Sequence, residues 1–125
     1  MEEIKHFPLI DVSLVLFEMK DNTKCVLLEE LERQGIEYCS GEQDEIILSE
    51  TRTEQCWDIA DAITIMFEKC KTVIPLLSSL VKDGTIRVLL DIAFYHEYKY
   101  PSLVFEGDNM TLIRDLQADI SIDPY

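Results

Sequence analysis

Two stretches of alternation set the terms for this chain. From Thr85 to Tyr100, the longest strand candidate, Ile86, Val88, Leu90, Ile92 and Phe94 fall on one face and Arg87, Asp91 and Glu97 on the other. From Leu9 to Phe17, Ile10, Val12, Leu14 and Leu16 share one face, and the segment turns apolar on both faces toward its end. Strands of this kind have to enter a sheet and have the apolar face covered by another layer. The chain supplies that layer itself. Ile59, Ile63, Met66, Phe67, Cys70, Ile74, Leu77 and Leu80 recur at helical spacing and form one broad face ending before Gly84. Pro75 stands inside that pattern, so a kink or a break into two helices is expected there.

Shorter elements fill the intervals. Asp21, Asn22 and Thr23 offer capping side chains to a helix of about three turns with Leu27, Leu28 and Leu31 inward and Gly35 in a left-handed stop. Ile36 to Cys39 and Ile46 to Leu48 read as strands around a turn at Ser40 to Asp44. After Pro101, Ser102 to Glu106 reads as a returning strand. Gly107, Asp108 and Asn109 turn the chain and cap a helix over Met110 to Ala118, with Leu112, Ile113 and Leu116 buried. Asp119 to Asp123 alternates cleanly and closes the chain at Pro124 and Tyr125. The expected fold is α+β, a mixed or mostly antiparallel sheet packed against helices in the order β-α-β-β-α-β-β-α-β. With no Ser-, Pro- or Gly-rich linker, residues 1–125 form a single domain.

Charge narrows the functions. Against 25 Asp and Glu stand 11 Lys and Arg, a formal charge of −14 that repels a phosphate backbone and argues against direct nucleic-acid binding. No apolar run reaches the roughly 18 to 20 residues that span a bilayer, and Met1 to His6 lacks the regions of a signal peptide, so the expected compartment is the cytoplasm. Cys25, Cys39, Cys56 and Cys70 lie 14, 17 and 14 residues apart, which is not zinc or redox spacing, and are expected as buried free thiols.

Motifs for phosphate cradling, acyl transfer, zinc hydrolysis and calcium binding are absent from the sequence. His96 and Glu97, adjacent on a strand, point to opposite faces and cannot share one site. Glu42, Asp44 and Glu45 lack calcium-loop spacing and read as a solvated acidic turn. No catalytic residue, metal or cofactor is expected.

The negative charge is unevenly spread: residues 1–39, 40–58, 59–105 and 106–125 carry net −5, −5, 0 and −4. The densest stretch holds Glu42, Asp44, Glu45, Glu50, Glu54 and Asp58, with Trp57 inside it, and Tyr95, Tyr98 and Tyr100 mark the end of the long strand. Carboxylates steer a basic partner in, and aromatic anchors slow its release. The expected contact set is Glu42, Asp44, Glu45, Glu50 and Glu54, with Tyr38 or Trp57 as anchor. The plainer alternative is a solubilising surface with Trp57 in the core.

Several of these segments together carry a resemblance. They are the helix ending in Gly35-Ile36-Glu37, the strand segment Glu45 to Trp57 with Arg52 and a lone tryptophan, and the long helix with Leu76, Leu77 and Leu80. With them stands the ending Leu112-Ile113-Arg114-Asp115-Leu116-Gln117-Ala118-Asp119-Ile120-Ser121-Ile122-Asp123-Pro124-Tyr125. This pattern resembles a bacterial domain-of-unknown-function family of small α+β proteins. Several members are encoded as immunity proteins beside polymorphic or contact-dependent growth inhibition toxins. The resemblance implies a small α+β protein with an immunity role and no catalytic residues; the expected partner is a cognate protein toxin, met in the cytoplasm by a monomer or weak dimer. The charge of −14 adds the expectation that its acidic face occludes a basic, nuclease-type active site. An adaptor or scaffold domain for another host protein is the alternative.

Overall fold

The computed structural model describes residues 8–42, 44–56, 58–95 and 101–125. Its centre is an antiparallel pair, β1 (Leu9–Phe17) and β4 (Arg87–Tyr95), matched residue for residue from Leu9↔Tyr95 to Phe17↔Arg87. On β1's other side runs β3 (Ile46–Thr53), antiparallel, with the short β2 (Tyr38–Ser40) beyond it. β5 (Asp119–Pro124) lies parallel to β4 at the opposite edge, giving the order β2-β3-β1-β4-β5.

All the alternating apolar positions of the two central strands point one way: Ile10, Val12, Leu14 and Leu16 from β1, and Val88, Leu90, Ile92 and Phe94 from β4, with Ile86 just before it, are buried. The helices α1 (Asp21–Gln34), α2 (Ile59–Cys70), α3 (Ile74–Lys82) and α4 (Gly107–Asp115) pack against that face. Leu27, Leu31, Ile63, Met66, Leu77 and Ile113 belong to one cluster with those strand residues. Gly35 ends α1 at φ 68°, a left-handed conformation that a side chain would strain.

The predicted interruption at Pro75 is a break. A 3-10 turn over Lys71–Val73 separates α2 from α3, and Pro75 occupies the first turn of α3, where its missing N–H has no helical acceptor to lose. At the head of α2 the Asp58 side chain accepts from the Asp61 amide at 2.8 Å.

Three expectations are corrected. The order is β-α-β-β-α-α-β-α-β, because Ser102–Glu106 is not a returning strand. Only Ser102 pairs, in an isolated bridge to Asp58, and its carbonyl accepts from the Ile59 amide at 3.0 Å. The place beside β4 is taken by β5, so this segment ties the start of α2 instead. Asn109 does not cap α4; it sits inside it, buried, donating to the Ala60 carbonyl and to Thr64 Oγ1 at 3.2 Å each.

Third, only two of the four thiols are buried. Cys56 and Cys70 are buried, whereas Cys25 and Cys39 are exposed and all four are free. Cys25 lies on the side of α1 opposite Leu27 and Leu31, and Cys39 alternates with Tyr38, whose register partner Leu48 faces the core. Burial pushes the Cys70 thiol up to about 11. His96, Glu97, Tyr98, Tyr100 and Trp57 lie outside the described residues.

Two measurements check this packing. A thiol-reactive dye is expected to titrate two cysteines quickly in the native protein and the remaining two only on unfolding; four fast thiols would contradict the buried positions. Leu14, fully buried between its register partners Leu48 and Leu90, should cost roughly 2–5 kcal/mol when replaced by Ala, read from urea unfolding.

Candidate functional site

The sheet has a second face, formed by the other half of each alternation. Leu9, Asp11, Val15 and Phe17 of β1, and Leu89, Asp91 and Ala93 of β4, are part-exposed where their neighbours in sequence are buried. None of them belongs to the core cluster that includes the helices, so no described helix covers this face. Register then decides which polar groups meet on it. Asp91 sits across from Ser13 on β1 and Ser121 on β5, and Asp123 stands beside Ala93. Asp11 pairs with Arg52 on β3.

Glu50 joins this row through a bulge. Leu48 and Thr51 both take inward positions opposite Leu14 and Val12, leaving Ser49 and Glu50 together against Ser13. Ser49 adopts φ 53°, outside the range a β-strand residue ordinarily uses, and is buried. Its amide donates to the Glu37 carbonyl at 3.0 Å, and its carbonyl accepts from Thr51 Oγ1 at 3.1 Å. The extra residue turns Glu50 out to solvent, where its charge reaches Asp11.

Four carboxylates from four strands, Glu50, Asp11, Asp91 and Asp123, therefore line the uncovered face. Partial burial, first, and then the neighbouring Glu50 raise Asp11 above its ordinary value, with Arg52 pulling the other way and Asp91 adding to the rise. Partial burial, followed by Asp123, raises Asp91. In both, burial is the larger cause and a neighbouring carboxylate adds to it.

Arginines and aromatics frame the row at two ends. At one, the Arg52 guanidinium lies 5.9 Å from the centroid of Tyr95, which stacks on Tyr125 at 5.1 Å. At the other, Arg87 lies 5.2 Å over Phe17 and reaches Asp119 at 2.8 Å and Glu18 at 3.5 Å. Arg87 is thereby engaged by Phe17 and two rim carboxylates, and Arg52 by the Tyr95 ring and the charge of its register partner Asp11.

The residues expected from sequence fall in three places. Glu42, Asp44 and Glu45 occupy the β2–β3 turn, tied to α1 by Lys24 Nζ donating to the Glu42 carbonyl at 2.9 Å. Glu50 is on the open face. Glu54 follows β3 beside a shallow hollow lined by Leu9, Arg52, Thr53 and Gln55. The turn and Glu54 sit at opposite ends of β3, about 25 Å apart at strand rise, so they do not form one cluster. Tyr38 is half-buried against the core side, donating its hydroxyl to Glu32 at 2.7 Å, which holds its own ionisation up. Trp57 lies outside the described residues.

The sequence reading did not single out Asp11, Asp91 and Asp123 as a set. Their signal is present as one acidic residue in β1 and β4 and two in β5 on the face opposite the apolar one, but only register shows that they align. Among the described residues, no group of His, Cys, Asp and Glu is placed to hold a metal ion, and no helix is long and apolar enough to cross a membrane. Comparison with protein families, with curated proteins and with solved structures finds no match for this chain.

The titration of the row has a sign. Folded-state values above 3.8 mean that Asp11 and Asp91 favour folding fully below 3.8 and lose that contribution as the pH rises through their raised values. Asp91→Asn should therefore unfold at higher urea than the parent at pH 7, the difference closing below pH 3.8. Asp123→Asn should move the Asp91 midpoint down toward 3.8, read by carboxyl NMR.

Proposed function

We propose that this chain is a non-catalytic binding protein that captures a basic protein surface on the uncovered, acidic face of its sheet. In its physiological setting it is an immunity protein that neutralises a cognate bacterial toxin in the cytoplasm. The observation that carries the reading is the carboxylate row Glu50–Asp11–Asp91–Asp123. It lies on a face that no described helix covers, with two of its members raised by burial and by neighbouring negative charge.

Such a row meets two needs of a fast, tight inhibitor. Its summed field draws a positive cleft in from a distance. On contact, Val15, Leu89 and Ala93 between the carboxylates, with Tyr95 and Tyr125 at the rim, supply the apolar and aromatic burial that sets the dissociation rate. Carboxylates spaced across neighbouring strands would take the places of phosphates in a nuclease cleft. The formal charge of −14 points the same way, and the sequence pattern resembling a domain-of-unknown-function family, several of whose members are immunity proteins, is what suggests the toxin as partner. The acidic turn at Glu42, Asp44 and Glu45 would extend the field toward the β2 edge.

The test is co-expression with the product of the adjoining upstream gene, with growth as the readout, followed by affinity measurement at two salt concentrations. Glu50→Lys, Asp91→Lys and Asp123→Lys combined should abolish rescue and weaken the complex by at least about tenfold, with a salt dependence reduced to match. Glu42→Lys, Asp44→Lys and Glu45→Lys combined should cost less. Unchanged affinity in the sheet-face variant would remove this face from the function. A harmless neighbour would leave an adaptor for another basic protein as the reading.

A further inference from the structure

The row of carboxylates runs to the edge of the sheet, an edge that no described residue pairs. β5 ends the strand order, and no described strand lies against its outer side. Its backbone polarity can be read from one bond: the Tyr125 amide donates to the Phe94 carbonyl at 2.8 Å. Amides alternate in direction along a strand, so Asp123, Ser121 and Asp119 also turn toward β4, and Ile120 and Ile122 turn their N–H and C=O groups outward. Pro124 fits the same alternation, since it occupies a position whose N–H would point away from the sheet and whose loss leaves the ladder intact.

The side chains of this edge are divided by chemistry. Asp119, Ser121 and Asp123 share the open face with Leu89, Asp91 and Ala93. Ile120 and Ile122 point to the helix side, yet remain 42% and 38% exposed where the isoleucines of β1 and β4 are fully buried. An edge with outward amides, acids on one face and bare isoleucines on the other presents a pattern to be matched.

We propose that β5 accepts an extended segment of the basic partner as a sixth strand, one in which Lys or Arg alternates with aliphatic residues. The proposal rests on the reading that the partner is basic. The basic side chains would stand beside Asp119 and Asp123 and continue the charge pairing onto Asp91, and the aliphatic ones would cover Ile120 and Ile122. Charge decides against the simplest competitor, a second copy of this chain. Antiparallel self-pairing that uses both outward isoleucines sets Asp119 opposite Asp123 twice, and like charges facing each other across strands are destabilising. Arg87 already offsets Asp119, whereas among the described residues Asp123 pairs with no cation and accepts from the Ser121 hydroxyl at 3.2 Å, so the Asp123 end is the one to be matched by a basic side chain.

The experiment is amide hydrogen exchange of the full chain with an alternating Lys-Val octapeptide, an alternating Glu-Val octapeptide and no peptide. The Lys-Val peptide should slow exchange at Ile120 and Ile122 by at least about tenfold while Ser121 and Asp123, already bonded to β4, change little; the Glu-Val peptide should do neither. Ile122→Pro removes an outward donor and should abolish the protection at Ile120, and Ile122→Val should retain it.

Lys-Val binding that shifts Asp11, Asp91 and Glu50 without protecting Ile120 or Ile122 would overturn the added strand and leave the acidic-face reading standing. Absence of any Lys-Val binding would remove both. Protection at Ile120 and Ile122 that grows with protein concentration in the absence of peptide would assign the edge to a second copy and overturn the proposal.

Discussion

Everything else in this protein is arranged around the pairing of β1 with β4. The two nine-residue strands run antiparallel in unbroken register, which puts Ile10, Val12, Leu14 and Leu16 on the same side as Phe94, Ile92, Leu90 and Val88. A sheet with that much apolar surface on one side is unstable in water until something covers it, since each fully buried aliphatic side chain contributes about 1.5–3 kcal/mol. The four helices are that cover, and their apolar stripes converge on the same cluster. The ladder therefore dictates where the helices lie, which edges remain for β2 and β5, and which face is left open.

The open face follows from the same constraint. Side chains alternate, so a strand that devotes one half of its residues to the core commits the other half to the opposite side. In β1, β4 and β5 that other half includes Asp11, Asp91, Asp119 and Asp123, and the bulge at Ser49 adds Glu50. None of these carboxylates is needed for the core. Holding Asp11 and Asp91 part-buried and next to other carboxylates raises their proton affinity and works against stability at neutral pH. Arg87 stands at one rim against Phe17, and Arg52, against Tyr95, offsets its register partner Asp11, which leaves one nearby arginine against four carboxylates.

Legibility in the sequence followed the strength of the local signal. The strand at Leu9–Phe17, the helix stop at Gly35, the break at Pro75 and the inward side of β4 were all visible, because periodicity, a left-handed glycine and a missing amide act within a few residues. The segment Ser102–Glu106 was misread because its apolar run carries no information about whether a neighbouring strand position is vacant; β5 holds that position from further along the chain. Asn109 was misread for a related reason. An Asn after Gly and Asp is a good cap by itself, but contact with α2 offers its amide the Ala60 carbonyl and Thr64 hydroxyl, and the helix starts earlier. The candidate contact set was chosen by density along the chain, which gathers Glu42 to Glu54 in sequence but spreads them along the full length of β3 in space.

The sequence by itself determined the α+β class, the inward positions of β1, β4 and the long helical segment, the large negative charge and the lack of recognisable catalytic motifs, since alternation, helical spacing and composition are properties of the chain alone. Only the tertiary structure decided that acids from β3, β1, β4 and β5 form one row, that β5 lies parallel at an edge with its isoleucines part-exposed, and that two thiols reach solvent. Those depend on strand order and register. Register is fixed by burying one face of every strand at once, a condition that no single segment can express.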